Sequence, residues 1–559
     1  MRPTRPTTDR RGIIVHTSAA RTRLAIVAVL AMVATLVAPA TPALAVGHAR
    51  ITGTGSSWSA NALNQWVADV QKQGLQVDFT PTGSATGRKD FAALATDFGI
   101  TDIGFRGEDP KTKQKDTAQG REFAYLPIVA GGTAFVYQVR VGGQLVRNIR
   151  MSGETLAKIF FGQITNWNDA QISADNNGRK LPSLPIIVVA HSEGSGSTAQ
   201  FTSYLANQYP SLWRAYNGSP EFTEYFPPLP ATGTRGNKVY AVNGSDGVIN
   251  TVTAGSSNGA IGYDEYSYAL GAGYPVVKLE NKAGYFTSPS EYNVAVALTA
   301  AELNMDPKDP NTYLLQKLDK VYINPDRRTY PMSSYSYMLL PIGDSKKDPR
   351  INSEKRQTLV DFMAYSICTG QRSMGATGYS PLPVNLVEAG FTQLKRLNAA
   401  DAQVTVAAKP VNQCNNPTFD PADPARNHLA QIAPNPADCD KRGAGPCAAT
   451  GATGGTNTAG GNGSGGTGTG TGGATTNPSA SGSAAAAGQI DPDTGEVISG
   501  GGGSGGGDAN AVGVPNDLAA FTTGKHMKVL GPAAAALLLL VVFGPALLGR
   551  WLRRRREQP

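Results

Sequence analysis

The chain has 559 residues, including 65 glycines and 37 prolines, which is too long for one compact domain and indicates segments outside any packed core. Its formal net charge of +8 lies at the two ends: residues 1–45 contribute +5 and residues 525–559 contribute +6, which leaves −3 for residues 46–524. This distribution argues against nucleic acid as a partner, and we expect none.

Residues 1–45 have the pattern of a secretory signal peptide. Six arginines and an apolar run at residues 24–37 precede Ala43, Leu44 and Ala45, which form a small-x-small cleavage pattern. A transmembrane anchor fits this segment less well, because the run is short and prolines follow it. No cysteine comes next that could carry a lipid anchor.

Short β-type runs alternate with helical patterns between residues 49 and 410. The clearest helix has apolar residues at a helical period from Ala60 to Val70 and ends at Gly74. The predicted elements are strands at residues 77–80, 134–139, 185–190 and 239–242, and helices at residues 60–73, 87–95, 197–205 and 358–368. The alternation predicts an α/β fold with largely parallel sheets, and the size indicates two domains.

Three segments combine a predicted strand, a turn rich in Gly, Ser or Thr, and a helix start: residues 53–58, 82–87 and 192–198. Helix N-termini present unpaired N–H groups, glycine lets a ligand approach the backbone, and serine adds hydroxyl donors without charge. Each segment alone is better explained as an ordinary helix N-cap. The three together predict an oxyanion site, because a tetrahedral anion needs donors from several directions.

Four cysteines follow in the later part of the chain, at positions 368, 414, 439 and 447. Their spacing fits no zinc pattern, and an exported chain is expected to oxidise them. Of the three pairings we favour Cys368 with Cys414 and Cys439 with Cys447. Residues 411–447 are expected to form an irregular segment that these disulfides staple.

Composition changes sharply near residue 448. Residues 448–524 are dominated by small and polar residues and are predicted to form a disordered Gly/Ser/Thr-rich linker. Residues 529–549 are apolar and uncharged, long enough for one transmembrane helix, and the basic tail at residues 550–559 follows them. The positive-inside rule then predicts a single-pass anchor with a cytoplasmic tail and the rest of the chain at the extracellular face of the membrane.

The order and spacing of several motifs resemble the phosphate-binding subunit of ABC-type phosphate importers. Each motif is weak alone, but the ordered set spans most of residues 49–395. The motifs are GTGSSW at 53–58, GS at 83–84, TDFGITD at 96–102, FGQITNWND at 161–169, EGSGS at 193–197, SDGV at 245–248, GAIGYDEY at 259–266 and YSPLP at 379–383.

This resemblance implies a two-lobed periplasmic-binding-protein fold of type II whose lobes close on phosphate. The first lobe would comprise residues 49–136 and 331–410, and the second lobe residues 137–330. An aspartate would accept a hydrogen bond from the protonated ligand and repel fully ionised sulfate. The implied ligand residues are Ser57, the backbone of Trp58, Ser84, Asp102, Ser195, Gly196 and Ser197.

Two positions depart from the family pattern. Members usually carry an arginine before the third loop and an aspartate two residues later, whereas this chain has His191 and Glu193. Histidine is charged only in part near neutral pH, so weaker phosphate binding, a different anion and loss of the ligand all stay open. Arg88 and Arg106 lie near the first-lobe motifs and are candidates to supply the missing charge.

The expected function is therefore capture of inorganic phosphate or a similar oxyanion for import, with ABC permease subunits as partners and without a cofactor, a metal or catalytic residues. A surface sensing or scaffold role stays open, because a fold does not determine function. A phosphate-handling hydrolase is less favoured. The sequence has no Walker loop and no His-Glu-x-x-His motif, and a pair of His191 with Ser195 would lack a third residue to orient it.

Overall fold

The computed structural model describes residues 47–108, 113, 115–227, 238–309, 311–407, 410–423 and 425–445, and the backbone of residues 489–490 and 497–498. The chain divides into a unit that ends at Gly47 and a unit that begins at His48, and the fold below belongs to the second. The predicted signal peptide, transmembrane stretch, basic tail and Cys447 lie outside the described residues. So does the predicted linker, except for the antiparallel pair Gln489–Ile490 and Val497–Ile498.

An eight-stranded sheet is the centre of the described unit. Its strands in chain order are β1 (Ile51–Gly55), β2 (Val77–Pro81), β3 (Phe98–Thr101), β4 (Phe123–Tyr137), β5 (Ile187–His191), β6 (Lys238–Val242), β7 (Ala260–Glu265) and β8 (Ser333–Pro341). They lie side by side in the order β6-β5-β7-β4-β8-β3-β1-β2. The four strands predicted from the sequence all belong to this sheet, so those predictions are confirmed.

The sheet is mixed, and the prediction of largely parallel sheets is wrong at its centre. β1 is parallel to β2 and β3, and β5 is parallel to β6 and β7. β4 and β8 run antiparallel to each other and to their outer neighbours. β4 joins two half-sheets, because its residues 123–132 pair with β8 and its residues 133–137 pair with β7.

The point at which β4 changes its partner is built from glycine. All 15 residues of β4 are buried. A Cβ on Gly131 would lie 2.7 Å from the ring of Trp58, and a Cβ on Gly132 would lie 2.5 Å from Pro289. Glycine therefore lets neighbouring segments pack against the strand where the two half-sheets meet.

The helices connect the strands of each half-sheet, and the four predicted helices correspond to Ala60–Gln71, Ser84–Ala92, Gly196–Gln208 and Ser353–Ile367. The last of these begins five residues before its predicted start, because the Asn352 side chain accepts a hydrogen bond from Lys355 N–H at 2.9 Å and caps the helix. The α-helices are α1 (Ala60–Gln71), α2 (Ser84–Ala92), α3 (Gly153–Phe160), α4 (Ala170–Asp175), α5 (Gly196–Gln208), α6 (Pro210–Asn217), α7 (Gly244–Thr253), α8 (Tyr266–Gly271), α9 (Glu291–Leu298), α10 (Asp319–Tyr322), α11 (Ser353–Ile367), α12 (Val384–Ala400) and α13 (His428–Ile432).

Short strands and 3₁₀ helices complete the described residues. Arg150–Met151, Lys278–Glu280 and Phe286–Thr287 form a three-stranded sheet. Gly107–Glu108 pairs with Lys115–Asp116, Arg140–Val141 with Gln144–Leu145, and Glu302–Leu303 with Gln316–Lys317. The 3₁₀ helices are Thr369–Ser373, Gly375–Thr377, Val411–Gln413 and Asp438–Asp440.

The segment after α12 is fixed to the fold. The predicted disulfide between Cys368 and Cys414 is present, and Cys439 is also disulfide-bonded. Further along, the buried carboxylate of Asp440 forms ion pairs with Arg150 at 2.8 Å and Lys278 at 2.9 Å.

In the part of the chain that the structure describes, no helix has the length and apolar character needed to cross a bilayer.

Candidate oxyanion site

Four strands of the sheet lead into polar segments that contact one another. β1 is followed by Ser57, β3 by Asp102, β5 ends at His191, and β7 contains Asp264 near its end. All four side chains are buried. Because parallel strands present their carboxyl ends at the same edge of a sheet, each half-sheet brings its polar turns together there.

Asp102 presents a carboxylate oxygen to the interior of this region. Its Oδ2 accepts hydrogen bonds from Ser56 Oγ at 2.5 Å and from Ser84 Oγ at 3.0 Å. Its Oδ1 is buried and has no hydrogen-bond partner among the described residues. Burial raises the pKa of the Asp102 carboxyl, although the hydrogen bonds from Ser56 and Ser84 and the charge of Arg88 oppose the rise. An acceptor oxygen is therefore available to a ligand that carries a proton.

The first turn of α5 lies directly against this carboxylate. Ser195 caps the helix, and its Oγ accepts a hydrogen bond from Thr198 N–H at 3.4 Å. A Cβ on Gly196 would lie 1.8 Å from Asp102 Oδ2, so only glycine permits this approach. Ser197 Oγ is buried and, within the described ranges, has no partner. The helix N-terminus thus brings its partial positive charge and a hydroxyl group next to an acidic side chain.

The turn before α2 packs against the loop before α5. The hydroxyl of Ser84 donates to the aspartate after β3 and accepts from the N–H of that aspartate at 3.3 Å. The N–H of Ala85 donates to Gly194 O at 3.1 Å. Gly83 has a φ of 91°, and a Cβ there would lie 2.8 Å from Glu193 Cγ. Glycine is required at this position both by the backbone conformation and by the close neighbour.

The turn after β1 contacts the other half-sheet. Ser57 Oγ lies 2.9 Å from Ser245 Oγ and accepts a hydrogen bond from Ser245 N–H at 3.2 Å. Ser245 Oγ also donates to Asp264 Oδ1 at 2.7 Å. The carbonyl of Trp58 accepts a hydrogen bond from the Tyr379 hydroxyl at 2.7 Å. Ser57 is therefore part of a hydrogen-bonded chain that ends at a buried carboxylate in β7.

His191 and Glu193 form a buried ion pair. His191 Nδ1 lies 2.7 Å from Glu193 Oε1. Burial lowers the pKa of His191, but the hydrogen bond to Glu193 and the charges of Asp264 and Glu193 outweigh it, so the pKa is raised. Burial raises the pKa of Glu193, but the hydrogen bond and the charge of His191 outweigh it, so this pKa is lowered. The charge on the imidazole is thus compensated by its neighbour, which limits its attraction for an anion.

The two candidate arginines occupy different environments. Arg88 in α2 is fully buried, and its guanidinium donates to Glu224 at 2.8 Å and to Asp116 at 2.9 Å. Arg106 is exposed, and its guanidinium lies 4.2 Å from the centre of the Phe222 ring. The positive charge of Arg88 is therefore compensated by two carboxylates at short range, and that of Arg106 faces the surface.

A cavity of about 480 Å³ borders the site at Asp102. Gln200 and Gln316 also line it, and both donate hydrogen bonds to the Asp102 carbonyl oxygen, at 3.0 and 3.4 Å. The other predicted ligand residues do not line this cavity. Across the described ranges, no group of three or more His, Cys, Asp or Glu side chains is arranged to hold a metal ion.

The structure brings together most of the residues singled out from the sequence. Those that meet in the buried region are Ser57, Trp58, Ser84, Asp102, His191, Glu193, Ser195, Gly196 and Ser197. Sequence reasoning included Ser56, Ser245 and Asp264 in the family motifs but did not name them as site residues. A strand end followed by a helix start, the pattern used for the other turns, also occurs at Ser245 and could have identified it.

Comparison with known proteins places these residues in a family context. Residues 38–369, more than half of the chain, match the family model of the PBP superfamily domain. The phosphate-binding protein PstS of Methanocaldococcus jannaschii is 28% identical over 356 residues, which cover 62% of this chain and 86% of that protein. PstS of Pasteurella multocida is 30% identical over 342 residues, which cover 60% and 88%. A solved high-affinity periplasmic phosphate-binding protein with bound phosphate is 19% identical, with a TM-score of 0.48 and coverage of 66% of this chain and 98% of that one.

Proposed function

The chain belongs to the PBP superfamily, and from that premise we propose that it captures inorganic phosphate, or a closely similar oxyanion, for import by an ABC permease. The observation that carries this proposal is the buried Oδ1 of Asp102, an acceptor with no partner in the described part of the chain, on a carboxylate whose Oδ2 lies against the first turn of α5. A buried acceptor next to N–H and hydroxyl donors suits an anion that brings its own proton, as hydrogen phosphate does and sulfate does not. The names of the curated relatives support the same ligand.

We infer that the anion lies between turns from the two half-sheets. Asp102 follows β3 in one half-sheet and Gly196 follows β5 in the other, so a ligand that contacts both turns would bridge the half-sheets. This arrangement supports a type II fold whose lobes, residues 49–136 with 331–410 and residues 137–330, close on the ligand. In this proposal the acceptor is Asp102, and the donors are Ser57, the backbone of Trp58, Ser84, Ser195, Gly196 and Ser197.

We also propose that the protein acts at the extracellular face of the membrane. The signal-peptide pattern at residues 1–45 and the apolar stretch at residues 529–549 support export followed by C-terminal anchoring. The disulfide between Cys368 and Cys414 supports an oxidising compartment.

Isothermal titration calorimetry of the detergent-solubilised chain with phosphate, arsenate and sulfate tests the ligand. We expect one site per chain and a preference for phosphate over sulfate. Asp102→Asn removes both the acceptor and the charge that repels sulfate, so the ratio of phosphate to sulfate affinity should fall by roughly tenfold or more.

Asp361→Asn is the matched control, because Asp361 forms a partly exposed ion pair with His48. An unchanged ratio in Asp102→Asn would contradict the proposed ligand position. Absence of binding of all three anions by the wild type would favour the sensing or scaffold role.

A further inference from the structure

A chain of three buried side chains runs from Asp264 in β7 through Ser245 to Ser57 in the proposed phosphate site. Ser245 Oγ lies 2.7 Å from Asp264 Oδ1 and 2.9 Å from Ser57 Oγ. Ser245 N–H donates to Ser57 Oγ at 3.2 Å, and Glu265 N–H donates to Asp264 Oδ1 at 2.7 Å. The exposed fractions are 6% for Ser57, 0% for Ser245 and 2% for Asp264. Bulk water therefore does not compete for these hydrogen bonds.

The direction of this hydrogen-bonded chain depends on the protonation of Asp264, because each serine hydroxyl has one proton to donate. An ionised Asp264 can only accept hydrogen bonds, so the Ser245 hydroxyl donates its hydrogen bond to Asp264. The Ser57 hydroxyl must then donate to Ser245 Oγ across the 2.9 Å contact between the two oxygens. When Asp264 is protonated on Oδ1, it instead donates to Ser245, Ser245 donates to Ser57, and the proton of Ser57 is available to a ligand.

We propose that Asp264 is a positioning residue for phosphate, which acts through Ser245 to set the direction of the Ser57 hydroxyl and in its protonated form turns that hydroxyl toward the ligand. This inference rests on the proposed function. Asp264 acts without touching the ligand, and apart from protonation of its carboxylate no covalent bond is made or broken. The proton that Asp264 takes up comes from solvent, and the serines only reorient their hydroxyl groups.

The surroundings of Asp264 place the change of direction in the physiological pH range. Its Oδ2 is buried and has no partner among the residues that the structure describes. Burial raises the pKa of Asp264 to about 6, although the charge of His191 and hydrogen bonds from neighbouring groups oppose the rise. The other titratable groups around it are Glu193, whose charge raises this pKa, and Tyr263, Glu265 and Tyr268. Burial raises the pKa values of Tyr263, Glu265 and Tyr268 well above the usual range. As the pH falls through about 6, Asp264 takes up a proton and phosphate affinity should rise.

The test is calorimetric titration of the full chain with inorganic phosphate at about pH 5 and about pH 8. Asp264→Asn replaces the carboxylate that holds the Ser245 proton with an uncharged, weaker acceptor, and Ser245→Ala removes the group that competes for the Ser57 proton. Both variants should match the wild type at the lower pH and bind about tenfold tighter than the wild type at the higher pH. Asp246→Asn, which removes an exposed charge near Ser245, should behave as the wild type. Ratios between variant and wild type at one pH cancel the ionisation of phosphate itself.

A second comparison separates this chain of hydrogen bonds from simple loss of a negative charge. In a Ser57→Ala background, Asp264→Asn should no longer change phosphate affinity at the higher pH, whereas a purely electrostatic effect would persist there. Thermal melting followed by circular dichroism checks that each variant folds. If Asp264→Asn does not fold, Ser245→Ala still tests the inference.

This inference would be overturned if phosphate affinity had the same pH dependence in the wild type and both variants, or if Asp264→Asn still raised phosphate affinity in the Ser57→Ala background. Either result would leave the proposed function standing. Absence of phosphate binding by the wild type at both pH values would overturn the proposed function and this inference with it.

Discussion

The contact between Gly196 and Asp102 offers a direct test of how the site is assembled. An alanine Cβ at position 196 would lie 1.8 Å from Asp102 Oδ2 and 2.5 Å from Asp102 Cγ, far inside van der Waals contact. The carboxylate has little room to withdraw, because Ser56 and Ser84 donate hydrogen bonds to its Oδ2. Gly196 is the first residue of α5, so alanine suits its helical backbone and the steric clash is the main perturbation.

Gly196→Ala should therefore lower the free energy of unfolding by about 1–3 kcal/mol, the usual cost of overpacking. It should also weaken phosphate binding strongly, because α5 has to move away from Asp102. Gly247→Ala in α7 is the matched control, since a Cβ there would lie 3.4 Å from Val242, which is ordinary contact. The control should gain roughly 0.5–1 kcal/mol, because alanine is the better helix former.

Urea unfolding followed by circular dichroism and calorimetric titration with phosphate measure both effects. Adding Asp102→Gly to Gly196→Ala should restore part of the lost stability but not phosphate binding, because it removes both the carboxylate and the Asp102 Cβ, which would lie 2.6 Å from the new Cβ. Wild-type stability and wild-type phosphate affinity in Gly196→Ala would refute the close approach of α5 to Asp102.

Three further predictions concern the charged groups and the anchor. The raised pKa of His191 means that its ion pair with Glu193 stabilises the fold fully below about pH 6.5 and that this contribution is lost as the pH rises through the folded-state pKa. In urea unfolding, Glu193→Gln should show a smaller decrease in the free energy of unfolding over this pH range than the wild type. His191→Arg should strengthen phosphate binding more at about pH 8 than at about pH 6, and equal effects of His191→Arg at both pH values would show that His191 has a structural role. Arg88→Met leaves the buried carboxylate of Glu224 unpaired and should cost about 3–5 kcal/mol. Arg106→Met, at an exposed position, should change the free energy of unfolding by less than about 0.5 kcal/mol, and similar costs for the two variants would contradict the environments described. Deletion of residues 525–559 should release the protein from salt-washed membranes, and recovery of the truncated chain in the membrane pellet would contradict the proposed anchor.

Local patterns in the sequence were enough to identify many elements and most of the ligand turns. The helical period from Ala60 to Val70 and the stop at Gly74 predicted α1, because side-chain periodicity and backbone freedom act within a few residues. The turns that contain Ser84 and Ser195 were recognised for the same reason, since capping and close backbone approach depend on neighbouring residues. The ordered motifs then indicated the family, which the comparisons confirm.

The tertiary structure decided the features that depend on distant residues. Arg88 was a candidate ligand in the sequence, but Glu224, 136 positions later, binds its guanidinium. Ser57 and Ser245, which share a hydrogen bond, are 188 positions apart, and Ser245 and Asp264 are 19 positions apart. The antiparallel centre of the sheet likewise depends on the pairing of β4 with β8. No local period encodes such contacts, because they form only when the two half-sheets meet along β4. Burial at that junction then determines which charges are compensated and which polar atoms stay available to a ligand.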